Sequence, residues 1–339
     1  MEHSTVIGLD IAKSVFHSCE MNASGRVLER KRLYRYEVLE FFANHPPCLV
    51  AIESCGGSSY WARELVKLGH KVRLISAQFV KPYVKSQKND MVDAEAICEA
   101  ALRPQMRFVS PNTVTQQDLQ NIHRVRERVV KQRTMLANQI RGLLLEYGIT
   151  IPQGVNVLRQ KLSQIIAENQ NSERHLWKEI FIDLRDELEM LTVKVNRYDT
   201  MLRRISKTHP VCMRLLKLRG IGSLTATAIV AAVGNPADFK NGRQFSAWLG
   251  LVPKQHSTGG NPKLLGITKR GDKYLRKLLI HGARVETKFA KKRGNTWLIE
   301  LQKRAGYNKA AVALANKNAR NVWAILTLED KYHNPALVR

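Results

Sequence analysis

The sequence predicts a mixed α/β domain, then a long helical arm, then a mostly helical C-terminal region. Three observations carry this. The first hundred residues alternate short apolar runs with amphipathic stretches in the order βββαβαβα. Residues from about 115 to 206 hold a helical apolar period with charges between and no breaker before Gly142. From Pro210 onward, small residues and basic side chains surround a Gly-Ile-Gly turn. The divisions expected are 1–112, 113–208 and 209–330, with 331–339 as a tail. A chain of 339 residues has room for a core in each part.

Taken in order, "TVIGLDIA" (5–12) is an apolar run ending in an acid, as a buried strand would read. "VFHSCEM" and "RVLERKRLY" flank the turn signal "NASG", so the three segments form a meander. "EVLEFFANH" has helical spacing and stops at Pro46 and Pro47. "CLVAIES" (48–54) is a second buried strand ending in an acid, Glu53. "SSYWARELVKLGH" is an amphipathic helix closed by Gly69, "KVRLIS" a strand, and "DMVDAEAICEALR" a helix. The arm follows as "QQDLQNIHRVRERVVKQRTMLANQIRGLLLEYG", "VLRQKLSQIIAENQ" and "LWKEIFIDLRDELEMLTVKVNRYDTMLRRI", long antiparallel helices of coiled-coil type. Its Arg124, Arg126, Arg128, Lys131 and Arg133 suit either a solvated spacer or a nucleic-acid contact. "LKLRGIGSLTATAIVAAVG" (216–234) reads as a helix-hairpin-helix, in which Gly220 and Gly222 let backbone N–H groups approach a phosphate. Without a ligand the same glycines would make a plain helix–helix turn. A loop rich in Gly, Ser, Thr and Lys and then a basic helix complete the region.

Formal net charge is +26 and the pI is near 10.1, which implies a polyanionic partner, nucleic acid above all. From Val211 to the end there are 24 Lys and Arg against 6 Asp and Glu, so the acids concentrate upstream. Five scattered cysteines without a C-x-x-C pair argue against zinc and disulfides and for a reducing cytoplasm. No apolar run approaches the ~20 residues of a membrane span, so no membrane partner is expected.

Those upstream acids carry the chemistry. Asp10 and Glu53 end two apolar strands, and Asp90 and Asp93 share the first turn of a helix. Singly each is ordinary, since acids near a helix N-terminus complement its dipole and cap free N–H groups. Yet a carboxylate at the end of a buried strand is costly unless it is partnered. In a meander followed by αβαβα, the first and fourth strands are neighbours, and a helix across them presents its i and i+3 positions to both acids. Four converging carboxylates require a cation, and oxygen-only ligands select Mg²⁺ or Mn²⁺. Two such ions ~4 Å apart activate a nucleophile and stabilise a leaving oxygen in phosphodiester chemistry.

The arrangement resembles the ribonuclease H/RuvC-like fold, and the chain resembles transposases of the IS110 family, in its IS1111-like branch. "IGLDIAK" matches the family's first-acid motif, "IESCGG" the second and "NDMVDAEAI" its D-x-x-D motif. "LRGIGSLTA" and "FSAWLGLVPKQHSTGG…GITKRGD" match its C-terminal transposase region, so the likeness spans nearly the whole chain. It implies a catalytic, metal-binding DEDD set of Asp10, Glu53, Asp90 and Asp93. It also implies excision and insertion of donor and target DNA, guided by a structured RNA encoded by the element. Homodimers and homotetramers, acting at the nucleoid, are part of the same expectation.

The resemblance further implies a nucleophilic serine after "GLVP", and here the loop reads "KQHSTGGNPK". Ser257 is the choice, because a primary hydroxyl is unhindered and a slip of one residue in a Gly-rich loop is easily absorbed. Thr258 is the alternative, since it occupies the position directly before the glycine where some members carry the serine. Lys254, Lys263, Lys269 and Arg270 are placed to stabilise developing phosphate charge. His256 reads as a packed ring in preference to a proton shuttle, and Cys55 as a small buried filler. Two other functions compete: a RuvC-like, metal-dependent Holliday-junction nuclease without a covalent intermediate, and an architectural nucleic-acid-binding protein.

Overall fold

The computed structural model describes residues 5–84, 90–168 and 175–327; the expected tail at 331–339 lies outside them. The chain clusters into two compact units. One runs through Gln117 and includes Ala232–Lys240; the other takes Asp118–Ala231 and the chain from Asn241.

In the first unit β1 (Thr5–Asp10), β2 (Val15–Asn22) and β3 (Val27–Tyr34) form the expected meander. The turn between β2 and β3 is held by Asn22, whose side-chain oxygen accepts from Ser24 Oγ (2.7 Å) and Arg26 N (2.9 Å). Next come α1 (Val38–Ala43), β4 (Leu49–Ser54), α2 (Ser58–Lys67), β5 (Lys71–Ser76), the single turn α3 (Ala77–Val80), α4 (Asp90–Ala101) and β6 (Phe108–Val109). The sheet order is β3-β2-β1-β4-β5-β6, with β1, β4 and β5 parallel and β6 antiparallel to β5. β1 therefore lies beside β4, as the acids require. The two-residue β6 was not anticipated, being too short to carry a period.

Alternation divides the sheet's side chains between two cores. Ile7, Leu9, Phe16, Leu33, Val50 and Ile52 face α1 and α2, where Phe42, Trp61 and Leu65 cover them. Val6, Cys19, Met21, Ala51 and Ile75 face α4, through Ala94, Ile97, Cys98 and Ala101. The central strands β1 and β4, covered on both faces, are accordingly apolar through their middles, whereas the edge strand β3 is exposed at most positions.

The second unit holds nearly all of α5 (Val114–Leu145), then α6 (Val155–Glu168), α7 (His175–Thr208), α8 (Pro210–Leu215), α9 (Ser223–Ala232), α10 (Gly242–Trp248), β7 (Pro253–Thr258), β8 (Asn261–Ile267), α11 (Lys273–Lys288), α12 (Thr296–Ala305) and α13 (Tyr307–Thr327). Val129, Leu136, Ile140 and Leu144 of α5 share one core with Leu158 and Leu162 of α6 and Leu188, Leu191 and Val195 of α7. Steps of three, four and seven residues in α5 and α7 keep one face inward. The ion pair from Arg126 to Asp199 (2.5 Å) joins early α5 to late α7, and Tyr147 just past α5 packs on Trp177 early in α7. The two helices are thus antiparallel, and Arg126 is engaged internally instead of being offered to a ligand.

Two local expectations are corrected. The Gly-, Ser- and Lys-rich stretch is an antiparallel hairpin of β7 and β8, closed by Gly259 (φ 57°) and Gly260 (φ 80°). Two successive positive φ angles are what a two-residue hairpin turn demands. The helix predicted before Gly-Ile-Gly ends early, at Leu215.

Candidate functional site

Asp10 ends β1, and Asp90 and Asp93 open α4; one carboxylate oxygen from each lies within 4.8 Å of the others. The sequence brings them there through a close approach. Gly8 sits two residues before Asp10 on the same face of β1, and a Cβ at Gly8 would stand 2.3 Å from Ala94 O and 2.8 Å from Cys98 Sγ. Gly8 N–H donates to Cys98 Sγ (2.9 Å), and that thiol donates to Cys19 O (3.0 Å). Only a side chain of no size admits the backbone of α4 so near the sheet. Gly8, Ala94 and Cys98 thereby set the height at which Asp90 and Asp93 meet Asp10.

Glu53, ending β4 on the same face, stands just outside that trio but within its field. Its pKa is raised by burial and then by the charges of Asp10 and Asp93. Asp10 is raised likewise, by burial first, then by Asp93 and Asp90; His17 and the Ile11 backbone N–H act the other way. Asp10 and Glu53 are thus both disfavoured as anions by burial and by the acids around them, a penalty that a bound cation would relieve. Asp90 is 65% exposed, yet its carboxylate belongs to the trio, so the helix-start position does not exclude the ligand role. Asn89, which precedes it in the motif, lies outside the described residues.

His17 was missed by reading the sequence. It pairs directly with Asp10 across β1 and β2, and its Nδ1 is 4.0 Å from Asp90 Oδ2. The meander itself carried the signal: antiparallel strands joined by a short turn place a residue of β2 opposite the strand-end acid. Cys55 is exposed in the turn after β4, which corrects its reading as a buried filler. All five cysteines are free.

The remaining candidates belong to the second unit. Every residue of β7 is exposed, Ser257 and Thr258 included. Ser257 Oγ accepts from Gln255 Nε2 (2.8 Å). His256 is an exposed ring opposite Lys263, which corrects its reading as packed. Strand alternation puts Ser257 on the face of Gln255, and Thr258 on the face of His256 and Lys263. A shift of one residue therefore reverses the face presented; the easy slip expected of a loop does not hold in a strand. Lys254 lies where the register shifts between Pro253 and Gln255.

Lys269 and Arg270 are exposed in a turn pinned from beneath. Lys269 has φ 57°, uncommon for a residue with a side chain. Arg276 Nη1 donates to Arg270 O (2.9 Å) and Leu249 O (3.1 Å), and Asp272 caps α11 through Tyr274 N and Leu275 N. A Cβ at Gly250 would fall 2.1 Å from Arg270 O, and one at Gly271 1.9 Å from Trp248 O. The strained backbone is thus held by its surroundings, as at sites that must aim a side chain. In the earlier turn, Gly220 (φ 85°) meets α11, where a Cβ at Gly282 would lie 1.9 Å from Gly220 O. Asn318 Nδ2 donates to Arg219 O (2.9 Å). Protein atoms already use the missing side chain of Gly220, while Gly222 faces open space.

Comparison with known proteins gives a consistent family. A model of DEDD-type IS110 transposases matches residues 7–149, and one described as "Transposase IS116/IS110/IS902 family" matches residues 212–297. A protein of Pseudomonas aeruginosa named "Probable family 20 transposase" is 47% identical over 96% of this chain and 98% of its own. The transposase for insertion sequence element IS1111A of Coxiella burnetii is 42% identical over 98% and 92%, and that for IS1328 of Yersinia enterocolitica is 40% identical over 96% and 98%. Among solved structures, T. thermophilus RuvC in complex with a Holliday junction substrate matches 30% of this chain and 94% of its own, at 17% identity and a TM-score of 0.24.

Proposed function

The chain belongs to the IS110 family of insertion-sequence DNA transposases, and from that premise we propose that it cuts and rejoins DNA strands through Ser257 together with a divalent-metal site. The observation that carries the metal site is the convergence of Asp10, Asp90 and Asp93 within 4.8 Å in a chain of net charge +26, with Glu53 in their field. A hard, all-oxygen donor set, in which burial and neighbouring acids raise the pKa of Asp10 and Glu53, suits Mg²⁺ or Mn²⁺. Bound there, the ion supplies Lewis-acid stabilisation of charge on the phosphate and the leaving oxygen. In this reading the first unit is RuvC-like, residues 113–208 are a coiled-coil arm, and residues 209–330 are a transposase domain with a helix-hairpin-helix.

The chain's own residues divide the remaining work. Ser257 Oγ attacks phosphorus; the Oγ–P bond forms as the bond from phosphorus to the leaving deoxyribose oxygen breaks. The serine proton passes to solvent, and the leaving oxygen is protonated in turn. Rejoining reverses the step with a new strand end. Lys254, Lys263, Lys269 and Arg270 offset phosphate charge, and the backbone around Gly220 and Gly222 holds a flanking phosphate. Donor and target DNA are held together by a homodimer or homotetramer, with target choice delegated to an element-encoded guide RNA. Sequencing RNA that co-purifies with the protein tests the guide: a discrete species encoded beside the gene is the expected result.

The test of the serine is an SDS-resistant protein–DNA adduct on element-end DNA. Ser257→Ala abolishes adduct and strand joining, whereas Thr258→Val retains both. If Ser257→Ala keeps Mg²⁺-dependent cutting, the second reading prevails, that of a RuvC-like junction nuclease acting through the acids alone. That alternative is favoured by one specific observation, the self-contained convergence of the acids within the first unit.

A further inference from the structure

Across the sheet from the acids runs a row of side chains that the reaction above does not use. Asp10 pairs with His17 on β2, and His17 pairs with Arg32 on β3. Registered partners on adjacent strands share a face, so the row lies on the side of the sheet that carries the carboxylates. Tyr34 follows Arg32 by two residues and stands on the same face; the Arg32 guanidinium lies 5.4 Å from its ring centroid. Tyr36 stacks on Tyr34, with centroids 5.8 Å apart and planes 3° from parallel. The neighbouring cations are otherwise engaged, Arg30 with Glu95 and Lys31 with Glu29.

Two features set this pair apart from aromatics that merely reach the surface. Tyr36 is 78% exposed and Tyr34 45%, at the end of an edge strand. Each ring braces the other by stacking, and Glu37 accepts from Tyr34 N (2.7 Å), which holds the backbone from which both project. Rigid, water-facing rings have little ordering entropy left to lose when something stacks on them. At ~3.4 Å per stacked layer, a base between the rings would need about 6.8 Å, so the outer face of Tyr36 is the platform. Three adjacent strands at ~4.8 Å place Arg32 roughly 10 Å from Asp10, about three stacked nucleotides.

We propose that Arg32, Tyr34 and Tyr36 form a track that receives an unpaired DNA strand leading away from the acidic site, with one base stacked on Tyr36 and the Arg32 cation on the backbone. The occupant is single-stranded because a duplex turns only base edges outward, whereas a ring face demands an unstacked base. It is DNA because the track continues, on one face and at one end of the sheet, from the carboxylates; here the inference rests on the reading of those acids as a DNA-cutting centre.

The experiment uses the full chain in EDTA, so that binding is read apart from any cleavage. Fluorescence anisotropy compares a duplex carrying an unpaired DNA tail, the same duplex blunt-ended, and the first duplex with an RNA tail. Tyr36→Leu is expected to weaken binding of the DNA-tailed probe about tenfold and of the blunt probe less than about twofold. Tyr36→Phe, which keeps the ring, restores the wild-type affinity, so loss of fold does not imitate the result. Arg32→Gln lowers the salt slope for the tailed probe by roughly one. Equal affinity of Tyr36→Leu and wild type for the DNA tail overturns the proposal, as does a loss shared equally by the blunt probe. A tyrosine dependence confined to the RNA tail overturns it too. Absence of metal-dependent cutting by the wild-type chain would count against the acidic centre, while leaving this binding result to stand by itself.

Discussion

The two candidate sites are built in opposite ways. The acids stand on strand ends and a helix locked together by buried contacts, with Gly8, Ala94 and Cys98 fixing the spacing. The serine stands on a hairpin with every residue of β7 exposed, and Gln255 is its recorded hydrogen-bond partner. The first site is therefore coupled to folding. The second draws its geometry from the hairpin's own backbone pairing and its Gly-Gly turn. Stability measurements therefore report on the acids and are blind to Ser257.

Measured stabilities put that contrast to the test. The largest effect belongs to the second unit's interior, away from its hairpin. His123 lies between Tyr274 (3.0 Å) and Thr227 (3.1 Å), and burial, with Arg126 nearby, lowers its pKa to about 4. A histidine held neutral contributes stability above its unfolded pKa of ~6.5, and that stability is lost as pH falls toward 4. Urea titrations across that window should show a loss on the order of 3 kcal/mol, absent in His123→Gln. Next, Gly8→Ala drives a methyl into α4 and should lower stability by about 1–3 kcal/mol, with DNA cutting reduced alongside it.

Asp10→Asn should act with the opposite sign. In the metal-free chain a carboxylate whose pKa is raised weakens the fold as pH rises through the carboxylate range. The substitution removes that penalty, a gain under about 1 kcal/mol for a half-exposed group, and it abolishes any rise in Tm on adding Mg²⁺. The smallest effect is Ser257→Ala, within about 0.5 kcal/mol of wild type by urea titration, as an exposed position allows. A larger loss there would mean that the hairpin is as embedded as the acids, and the contrast would fail.

Much of the acidic site was legible because it sits where patterns change. Asp10 and Glu53 interrupt apolar runs, and the meander fixes which strands are neighbours. His17 and Cys98 were illegible because their meaning lies in pairing partners 7 and 90 residues away, His17 opposite Asp10 and Cys98 under Gly8. The hairpin was read as a loop because a strand with both faces in water needs no apolar alternation; only the Gly-Gly pair marked it. In the arm, the apolar period announced the helices but not that Asp199 would claim Arg126.

The placement of Ala232–Lys240 in the first unit has a consequence for the order of synthesis. Within that unit Ser110 Oγ donates to Asp238 (2.7 Å), Gln116 Nε2 donates to Val233 O (2.8 Å), and a Cβ at Gly234 would crowd Ser110. The ribosome makes this segment more than a hundred residues after Gln117. The acid-bearing unit is therefore finished late, when most of the chain has emerged. A product truncated within the arm lacks the piece that completes the sheet-bearing unit.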